Sequence, residues 1–368
     1  MAIQLSHPRF ALGESGWYGF SGFAPGVPVK QLAFSQILMV SVIWGATKLP
    51  DPTDGHNTLS NRVALSRAPI PHRDTLPAPS SDSLIVVVLG SGVGPSVNLQ
   101  QYGASILVDA GGERLLFDCG RGATLRLTQL RIPPGSIRQV FLTHLHSDHI
   151  VQIPDLMLTG WAGGSRTSPL SVSGPAGTAQ MMDHLQQAFS FDIHMRRDVD
   201  EKLNADGIRI VSRDITEGVV YESAGGVKVT AFLVDHGALQ PALGYRIDYK
   251  GRSVALSGDT RLSENLIRAA AGVDVLIHEA IDPVLLRSRT DHPNPAVIDA
   301  IIAHHTTPQQ AGMVFTRVKP RLAVYAHAPN SPTLIAQTRE TYSGALEGPE
   351  DLLTIIIGEQ VVVKRFPK

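Results

Sequence analysis

Residues 143–149 read Thr-His-Leu-His-Ser-Asp-His and crowd three imidazoles and a carboxylate into six consecutive positions. Neutral imidazole nitrogens and carboxylate oxygens are favoured zinc ligands, and a cation relieves the repulsion among protonated histidines. The run 139–142 just before them predicts a buried strand, so this loop would follow the C-terminal end of a strand, where open α/β sheets bind ligands. We therefore predict a metal site rather than a metal-free histidine loop, with these ligands: His144, His146, Asp148 and His149.

Other side chains that could bind a metal or move a proton also follow predicted strands. The expected strands are 84–89, 105–109, 114–118, 139–142, 208–211, 227–234, 243–249, 253–257, 273–277, 322–326, 353–357 and 360–364. Helices are expected over 123–130, 179–189 and 263–271, and a fourth begins at Thr307, where a capping threonine, a proline and a glutamine stand in order. The pattern indicates two similar α/β halves whose strand ends carry these residues: Asp118, His236, Asp259, Glu279 and His327.

Together these motifs resemble the metallo-β-lactamase fold superfamily, whose signature is His-x-His-x-Asp-His. Asp-Cys-Gly at 118–120, Asp-His-Gly at 235–237, Ser-Gly-Asp at 257–259 and Tyr-Ala-His at 325–327 fall in the family's order. Within the superfamily the chain is most similar to the ribonuclease Z and arylsulfatase-like branch, through 89–92, 244–247, 258–261, 278–280 and 305–307. The resemblance covers about residues 84–363 and implies a four-layer αββα sandwich for a domain at 83–368.

The resemblance also implies a dinuclear metal centre. It assigns His144, His146 and His236 to a first Zn²⁺, Asp148, His149 and His327 to a second, and Asp259 as the bridge, with Mn²⁺ or Fe²⁺ as alternative metals. Two adjacent dications lower the pKa of a shared water and so provide a hydroxide nucleophile. Asp148 is therefore expected to serve catalysis as well as binding.

A leaving group also needs a proton donor. The sequence His305-Thr306-Thr307 is similar to the family's His-x-Thr motif, so we expect His305 to be the donor and Glu279 to orient it. The adjacent His304 keeps that assignment open. Cys119 is expected to be a small buried residue beside the site rather than a zinc ligand.

The chain departs from ribonuclease Z in one respect. Those enzymes insert a long tRNA-binding arm between the residues matching His236 and Asp259, whereas the 22 residues here are filled by two predicted strands and a turn. A formal net charge of −1 offers no general attraction for a polyanion. We therefore expect a small anionic ester, a phosphodiester or an aryl sulfate, as the substrate, and no nucleic-acid partner.

Three alternatives stay open. The same donor set would serve a lactonase or β-lactamase-like carbonyl hydrolase, or a ribonuclease Z-type tRNA 3′ endonuclease. A non-catalytic or redox module, as in flavodiiron-type relatives, is disfavoured because the motif histidines, Asp148 and Asp259 are all retained.

Residues 1–82 differ from the rest of the chain in composition, with many Gly, Pro and Ser residues, and are expected to be a leader and linker. The apolar stretch at about 30–46 suits a signal segment and is too short for a stable membrane span. This predicts a periplasmic or secreted enzyme, with the cytoplasm as the alternative. The resemblance further implies a homodimer, since relatives in this branch often dimerise.

Overall fold

The computed structural model of this protein describes residues 82–164, 166–289 and 294–367. The predicted signal segment at 30–46, and the leader and linker up to residue 81, lie outside these described residues. Within the described ranges, no helix is both long and apolar enough to cross a membrane.

Two β-sheets form the centre of the described fold. One has the strand order β15-β14-β1-β2-β3-β4-β5-β6 and the other β13-β12-β11-β10-β9-β8-β7. Strands β3 to β6 run parallel in the first sheet, as do β10 to β13 in the second, so the C-terminal ends of these strands gather at one edge of each sheet. The strands are β1 Leu84–Gly90, β2 Ser105–Ala110, β3 Glu113–Phe117, β4 Gln139–Phe141, β5 Leu170–Gly174, β6 Ile210–Asp214, β7 Gly218–Glu222, β8 Val227–His236, β9 Leu239–Tyr249, β10 Arg252–Leu256, β11 Val275–His278, β12 Leu322–Tyr325, β13 Leu346–Glu347, β14 Leu353–Ile357 and β15 Val361–Lys364.

Helices cover the outer face of each sheet. Leu127, Leu156 and Met182 pack helices α1, α3 and α4 on the eight-stranded sheet, and Leu266 and Phe315 pack α7 and α10 on the seven-stranded sheet. The α-helices are α1 Ala123–Gln129, α2 Ser147–Ile150, α3 Ile153–Ala162, α4 Thr178–Ala188, α5 Ser190–His194, α6 Ala205–Ile208, α7 Glu264–Ala269, α8 Pro283–Ser288, α9 Pro295–Ala303, α10 Pro308–Val318 and α11 Pro332–Thr338.

An apolar core fills the space between the sheets. Phe117 stacks on Phe141 with ring centroids 5.1 Å apart, and Tyr245 of the other sheet lies 5.3 and 5.6 Å from these two rings. The Tyr245 hydroxyl donates to the Leu142 carbonyl at 2.6 Å, which ties the seven-stranded sheet to the chain just before the histidine motif. Helices, sheet, sheet and helices therefore form the four-layer αββα sandwich that the sequence predicted.

The predicted elements occur close to their expected positions. Thr307 accepts from the backbone N–H of Gln310, whose side chain accepts in return from the N–H of Thr307, so α10 begins with the predicted capping box. Strands β5, β7 and β13 and helices α2, α3, α5, α6, α8, α9 and α11 were not predicted from the sequence. The three strands are short, with five residues or fewer, and β7 is largely exposed.

Candidate metal centre

The predicted ligands meet at the strand ends along one edge of the sandwich. His144 and His146 follow β4 of the eight-stranded sheet. His236 is the last residue of β8, while Asp259 and His327 follow β10 and β12, all in the seven-stranded sheet. The centre therefore lies between the two sheets and draws its side chains from both.

The backbone around Asp259 is shaped by a single glycine. Gly258 has φ of +59°, and a Cβ there would lie 2.5 Å from the Leu243 carbonyl oxygen and 3.0 Å from Cβ of Thr143. Only glycine fits such a left-handed and crowded position. The N–H of Leu243 donates to the Thr143 carbonyl at 2.8 Å, so β9 is held against the segment that follows β4, next to the turn that presents Asp259.

His144, His146 and His236 form one group of facing nitrogens. The Nδ1 atom of His146 lies 3.1 Å from Nε2 of His144 and 3.3 Å from Nε2 of His236. These three atoms converge on a common point, as ligands of one cation must. His144 and His236 are buried, whereas His146 is exposed at the opening of the centre.

A second group joins Asp148, His149 and His327, and Asp259 lies between the two groups. Oδ2 of Asp148 is 3.2 Å from Nε2 of His327 and 3.7 Å from Nε2 of His149. Oδ1 of Asp259 faces this group, at 3.4 Å from Nε2 of His149 and 3.2 Å from Nδ1 of His327. The other oxygen, Oδ2, is 3.8 Å from Nε2 of His144. The structure thus brings all seven predicted ligands together, with Asp259 in the position of a bridge.

Burial sets the protonation of the first group. Burial lowers the pKa of His144 well below its ordinary value, and the neighbouring His149 lowers it further. Burial also lowers the pKa of His236 and of His146. Neutral imidazole is the form that coordinates a metal, so these three side chains are prepared for that role.

In the second group, neighbouring charges outweigh burial in setting the pKa values. Burial would raise the pKa of Asp259, but His327, His149 and His144 hold it well below its ordinary value. Burial would likewise lower the pKa of His149, whereas the carboxylates of Asp259 and Asp118 raise it well above. The carboxylates of this group thus favour a positive charge beside them.

Unpaired polar atoms mark where a cation fits. Nε2 of His149, Oδ1 of Asp259 and Nδ1 of His327 are buried and have no hydrogen-bond partner. Leaving such atoms unpaired is costly in free energy, and a divalent ion bound by N and O donors satisfies them together. The residues present therefore fit a metal centre. Cys119 is buried next to Asp118 and belongs to none of the candidate ligand groups, as predicted.

Hydrogen bonds from behind fix the orientation of the ligand histidines. Nδ1 of His149 donates to Oδ2 of Asp118 at 2.8 Å, and Asp118 also accepts from the N–H and the hydroxyl of Thr143, each at 2.8 Å. Nδ1 of His236 lies 2.9 Å from the backbone oxygen of His304. Asp118 was a candidate from the sequence, whereas the hydrogen bonds made by Thr143 and by the His304 carbonyl were not predicted. The adjacency of Thr143 to the motif was the only available signal.

His305 and Glu279 form a buried pair beside the ligands. Nδ1 of His305 is 3.0 Å from Oε1 of Glu279 and 3.9 Å from Oδ2 of Asp259. Burial would lower the pKa of His305, but the Glu279 carboxylate and Asp259 raise it to about 9. His304 differs, because burial and the adjacent His305 lower its pKa to about 4. The predicted donor and its orienting partner are thus in contact.

A cavity of about 310 Å³ opens over the centre. The 191–197 segment does not line this cavity. Those residues belong to α5 and to the turn that follows it, and Ile193 packs against Met157 and Trp161. Helices α8 and α9 and the 93–96 loop form the walls instead, through these described side chains: Val93, Pro95, Ser96, Ile281, Leu286, Arg289, Ile301 and His304.

Three arginines that could bind an anion, Arg196, Arg197 and Arg261, are engaged elsewhere. Arg196 pairs with Asp192 and Glu201, and Arg197 pairs with Asp198. Arg261 pairs with Asp235 at 2.7 Å. Each of these ion pairs is exposed to solvent, and none of the three arginines lines the cavity.

Comparison with known proteins gives the chain a family. The model of the beta-lactamase superfamily domain matches residues 113–328. Ribonuclease Z of Mycolicibacterium gilvum is 34% identical over 244 residues, which cover 66% of this chain and 83% of that protein. Ribonuclease Z of Mycobacterium marinum is also 34% identical over 244 residues, covering 66% of this chain and 85% of that protein.

Solved structures share the fold. A metallo-β-lactamase fold protein of Bacillus subtilis, YhfI, aligns with a TM-score of 0.57 at 18% identity, over 75% of this chain and 100% of that chain. The short form of human tRNase Z aligns with a TM-score of 0.56 at 21% identity, over 75% of this chain and 99% of that chain. With its clustered histidines and aspartates, the chain belongs to the beta-lactamase superfamily, in its ribonuclease Z branch, and is a metal-dependent hydrolase.

Proposed function

We propose that this protein is a dinuclear metal phosphodiesterase of the ribonuclease Z type, with an RNA phosphodiester as its substrate. The observation that carries the proposal is the convergence of two histidine groups on Asp259 in a chain that is 34% identical to proteins named Ribonuclease Z. The short interval between His236 and Asp259 favoured a small ester over RNA, whereas the similarity to these relatives favours RNA. Zn²⁺ is the proposed metal, with Mn²⁺ or Fe²⁺ as alternatives.

The ligand groups divide between two ions. His144, His146 and His236 would hold one, and Asp148, His149 and His327 the other, with Asp259 shared between them. When bound, two divalent cations supply an activated water and offset negative charge on the ester oxygens. Water adds to phosphorus, the phosphorus–oxygen bond to the leaving group breaks, and the leaving oxygen takes up a proton.

His305 is proposed to provide that proton. Glu279 holds Nδ1 of His305 at 3.0 Å, so Nε2 is the nitrogen with which this ring can donate. Glu279 also accepts from the backbone N–H of Thr260 at 2.9 Å. Because Thr260 directly follows Asp259, Glu279 links the proton donor to the metal centre. Glu279 is accordingly a positioning residue, and His305 is the catalytic acid.

A second candidate substrate is a small anionic ester, a phosphodiester or an aryl sulfate. It is favoured by the interval between His236 and Asp259, which β9, the turn at Lys250-Gly251 and β10 occupy entirely. No arm able to hold a tRNA at a distance extends from these described residues. If RNA is the substrate, it must be recognised close to the scissile bond.

A substrate panel tests the proposal. Protein loaded with Zn²⁺ or Mn²⁺ is assayed on bis-p-nitrophenyl phosphate, p-nitrophenyl sulfate, a lactone, nitrocefin, a precursor tRNA and an unstructured RNA with the same 3′ sequence. We expect hydrolysis of both RNAs at similar rates, because no arm reads the tRNA body. The Asp259→Asn variant is the inactive control.

The outcomes separate the alternatives. Turnover of bis-p-nitrophenyl phosphate without RNA cleavage would favour the small-ester candidate. Rapid turnover of the lactone or of nitrocefin, with every phosphodiester inert, would overturn the proposal in favour of a carbonyl hydrolase.

A further inference from the structure

The cavity over the metal centre has an apolar wall that none of the proposed catalytic steps uses. Helix α8 contributes Leu286, helix α9 contributes Ile301, and Ile281 lies on the segment between β11 and α8. Leu286 and Ile281 pack with Ile298 and Ile302 in a small cluster of their own, separate from the cores on the two sheets. These side chains therefore shape the cavity without being needed to fill either main core.

This wall stands next to the candidate proton donor. Helix α9 ends at Ala303, so His304 and His305 follow it directly and line the same cavity as Ile301. A group whose oxygen takes a proton from His305 therefore departs along α9. The position of the wall assigns it to the leaving group rather than to the rest of the ester.

The chemistry of the wall selects an uncharged group. Apart from the residues of the metal centre and the candidate acid His305, Arg289 is the one charged residue among the described side chains that line the cavity. On the opposite side, the 93–96 loop adds Val93 and Pro95. Burying apolar surface against such a wall is favourable, whereas a charged or heavily hydroxylated group would lose hydration without new hydrogen bonds. A volume of about 310 Å³ is at the lower end of ligand pockets and suits one ring system.

We propose that the space between α8, α9 and the 93–96 loop is a leaving-group subsite that binds an uncharged ring carried on the departing oxygen. This inference rests on the proposed ester hydrolysis. Such a ring can come from two sources, the base of a nucleotide in RNA or the aryl group of a small ester, and the chemistry of recognition is the same for both.

The test measures binding of leaving groups alone, so it does not depend on turnover. Uridine, p-nitrophenol and ribose are titrated into the metal-loaded full-length protein below the pKa of p-nitrophenol, so that this ring is uncharged. Saturation-transfer NMR or calorimetry is the readout. We expect at least one ring compound to bind and ribose not to bind. Uridine binding identifies a nucleobase as the natural ring, and binding of p-nitrophenol alone identifies an aryl group.

Two neighbouring isoleucines give a matched pair of variants. Ile301 lines the cavity, whereas Ile302 packs in the same cluster and does not line it, and both are partly buried. Ile301→Ser should weaken ring binding about tenfold, the usual effect of one altered apolar pocket contact. Ile302→Ser should leave it unchanged. Ile301→Trp, which fills the space, should abolish it while metal content stays normal.

Several results would overturn the subsite. Ribose binding as tightly as the rings, absence of any ring binding, or equal weakening by Ile301→Ser and Ile302→Ser would each do so. A protein that binds rings but hydrolyses no phosphodiester would instead refute the proposed function and leave the subsite standing.

Discussion

Asp118 shows how a residue that touches no substrate can control a metal centre. Its two oxygens accept from His149 and from both donors of Thr143, and it is 5% exposed. Its backbone φ is +56°, an uncommon value for a non-glycine residue. The surrounding hydrogen bonds hold this conformation, and the conformation in turn aims Nε2 of His149 at Asp148 and Asp259.

Replacing Asp118 by asparagine should weaken metal binding about 10- to 100-fold, the usual cost of losing a carboxylate behind a ligand histidine. Competition with a chromogenic chelator measures the affinity. Asp109→Asn is the control, because Asp109 is equally buried but pairs with Arg114 and the N–H of Gly112, away from the ligands. An unchanged affinity in Asp118→Asn would contradict the role assigned to this residue.

With His305 as the proton donor, the loss of kcat in His305→Ala should depend on the leaving group of the substrate. Loss of a general acid lowers kcat by about 10²–10⁴ when the leaving oxygen is a poor one, such as a ribose hydroxyl. The loss should be much smaller with p-nitrophenolate, which departs without protonation.

The kcat values of His305→Ala on RNA and on bis-p-nitrophenyl phosphate give the comparison. His304→Ala decides between the two adjacent histidines, since its effect should be the same on both substrates. The assignment fails if His304→Ala, and not His305→Ala, shows the leaving-group dependence.

Among the larger elements, the loop after β1 depends on a single carboxylate. Asp351 accepts from the N–H of Ser91 at 2.9 Å and from the N–H of Tyr102 at 2.8 Å, so it holds the two ends of the 91–102 loop together. It also pairs with Arg126 at 2.7 Å. The N–H of Gly94 in this loop lies 3.4 Å from Nε2 of His327, which places the loop against the metal centre.

Asp351→Asn should lower the free energy of unfolding by about 1–3 kcal/mol, the cost of weakening buried charge-assisted hydrogen bonds. Because the 93–96 part of the loop lines the cavity, KM should rise more than kcat falls. Urea unfolding and steady-state kinetics measure the two effects. Glu350→Gln is the control: Glu350 pairs with Arg365 at the surface, and its loss should change stability by less than about 1 kcal/mol. Equal effects of the two variants would show that the loop does not depend on Asp351.

In the described fold, both sheets contribute side chains to the candidate metal centre. The candidate ligands that follow β4 belong to one sheet. His236 at the end of β8 and the ligands that follow β10 and β12 belong to the other, so an ion bound there links the two sheets directly. Without it, buried carboxylates and imidazoles remain unpaired at the junction. Binding to the native state alone adds to the free energy of unfolding.

Removing the metal should therefore lower the melting temperature. The loss of stability is about 2.7 kcal/mol if the ion is present at 100 times its Kd. Calorimetry of the chelator-treated protein, before and after addition of Zn²⁺, measures the change, and Asp259→Asn should show little response to the ion. A melting temperature that zinc does not alter in the native sequence would contradict a link between the sheets.

Much of the fold could be predicted because its strands are continuous apolar runs that end in turn residues. Helices α8, α9 and α11 were missed although their starts carried a readable signal. Asp282-Pro283, Asn294-Pro295 and Ser331-Pro332 each place a capping side chain before a proline, the chemistry that identified the start of α10 at Thr307-Pro308. The nearly uninterrupted apolar sequence of α9 has no polar face, so its periodicity indicated nothing.

Four of the seven candidate ligands could be named from the crowded 144–149 motif itself, whereas the resemblance to the metallo-β-lactamase superfamily supplied the other three: His236, Asp259 and His327. The sequence could not predict which nitrogen of each histidine faces the centre. The choice between Nδ1 and Nε2 depends on partners far away in sequence, such as Asp118 behind His149 and the His304 carbonyl behind His236. The cavity walls also required the folded chain, and they placed α8 and α9, rather than the 191–197 segment, over the centre. Local chemistry thus specified the donors, whereas long-range packing fixed their orientation and the space beside them.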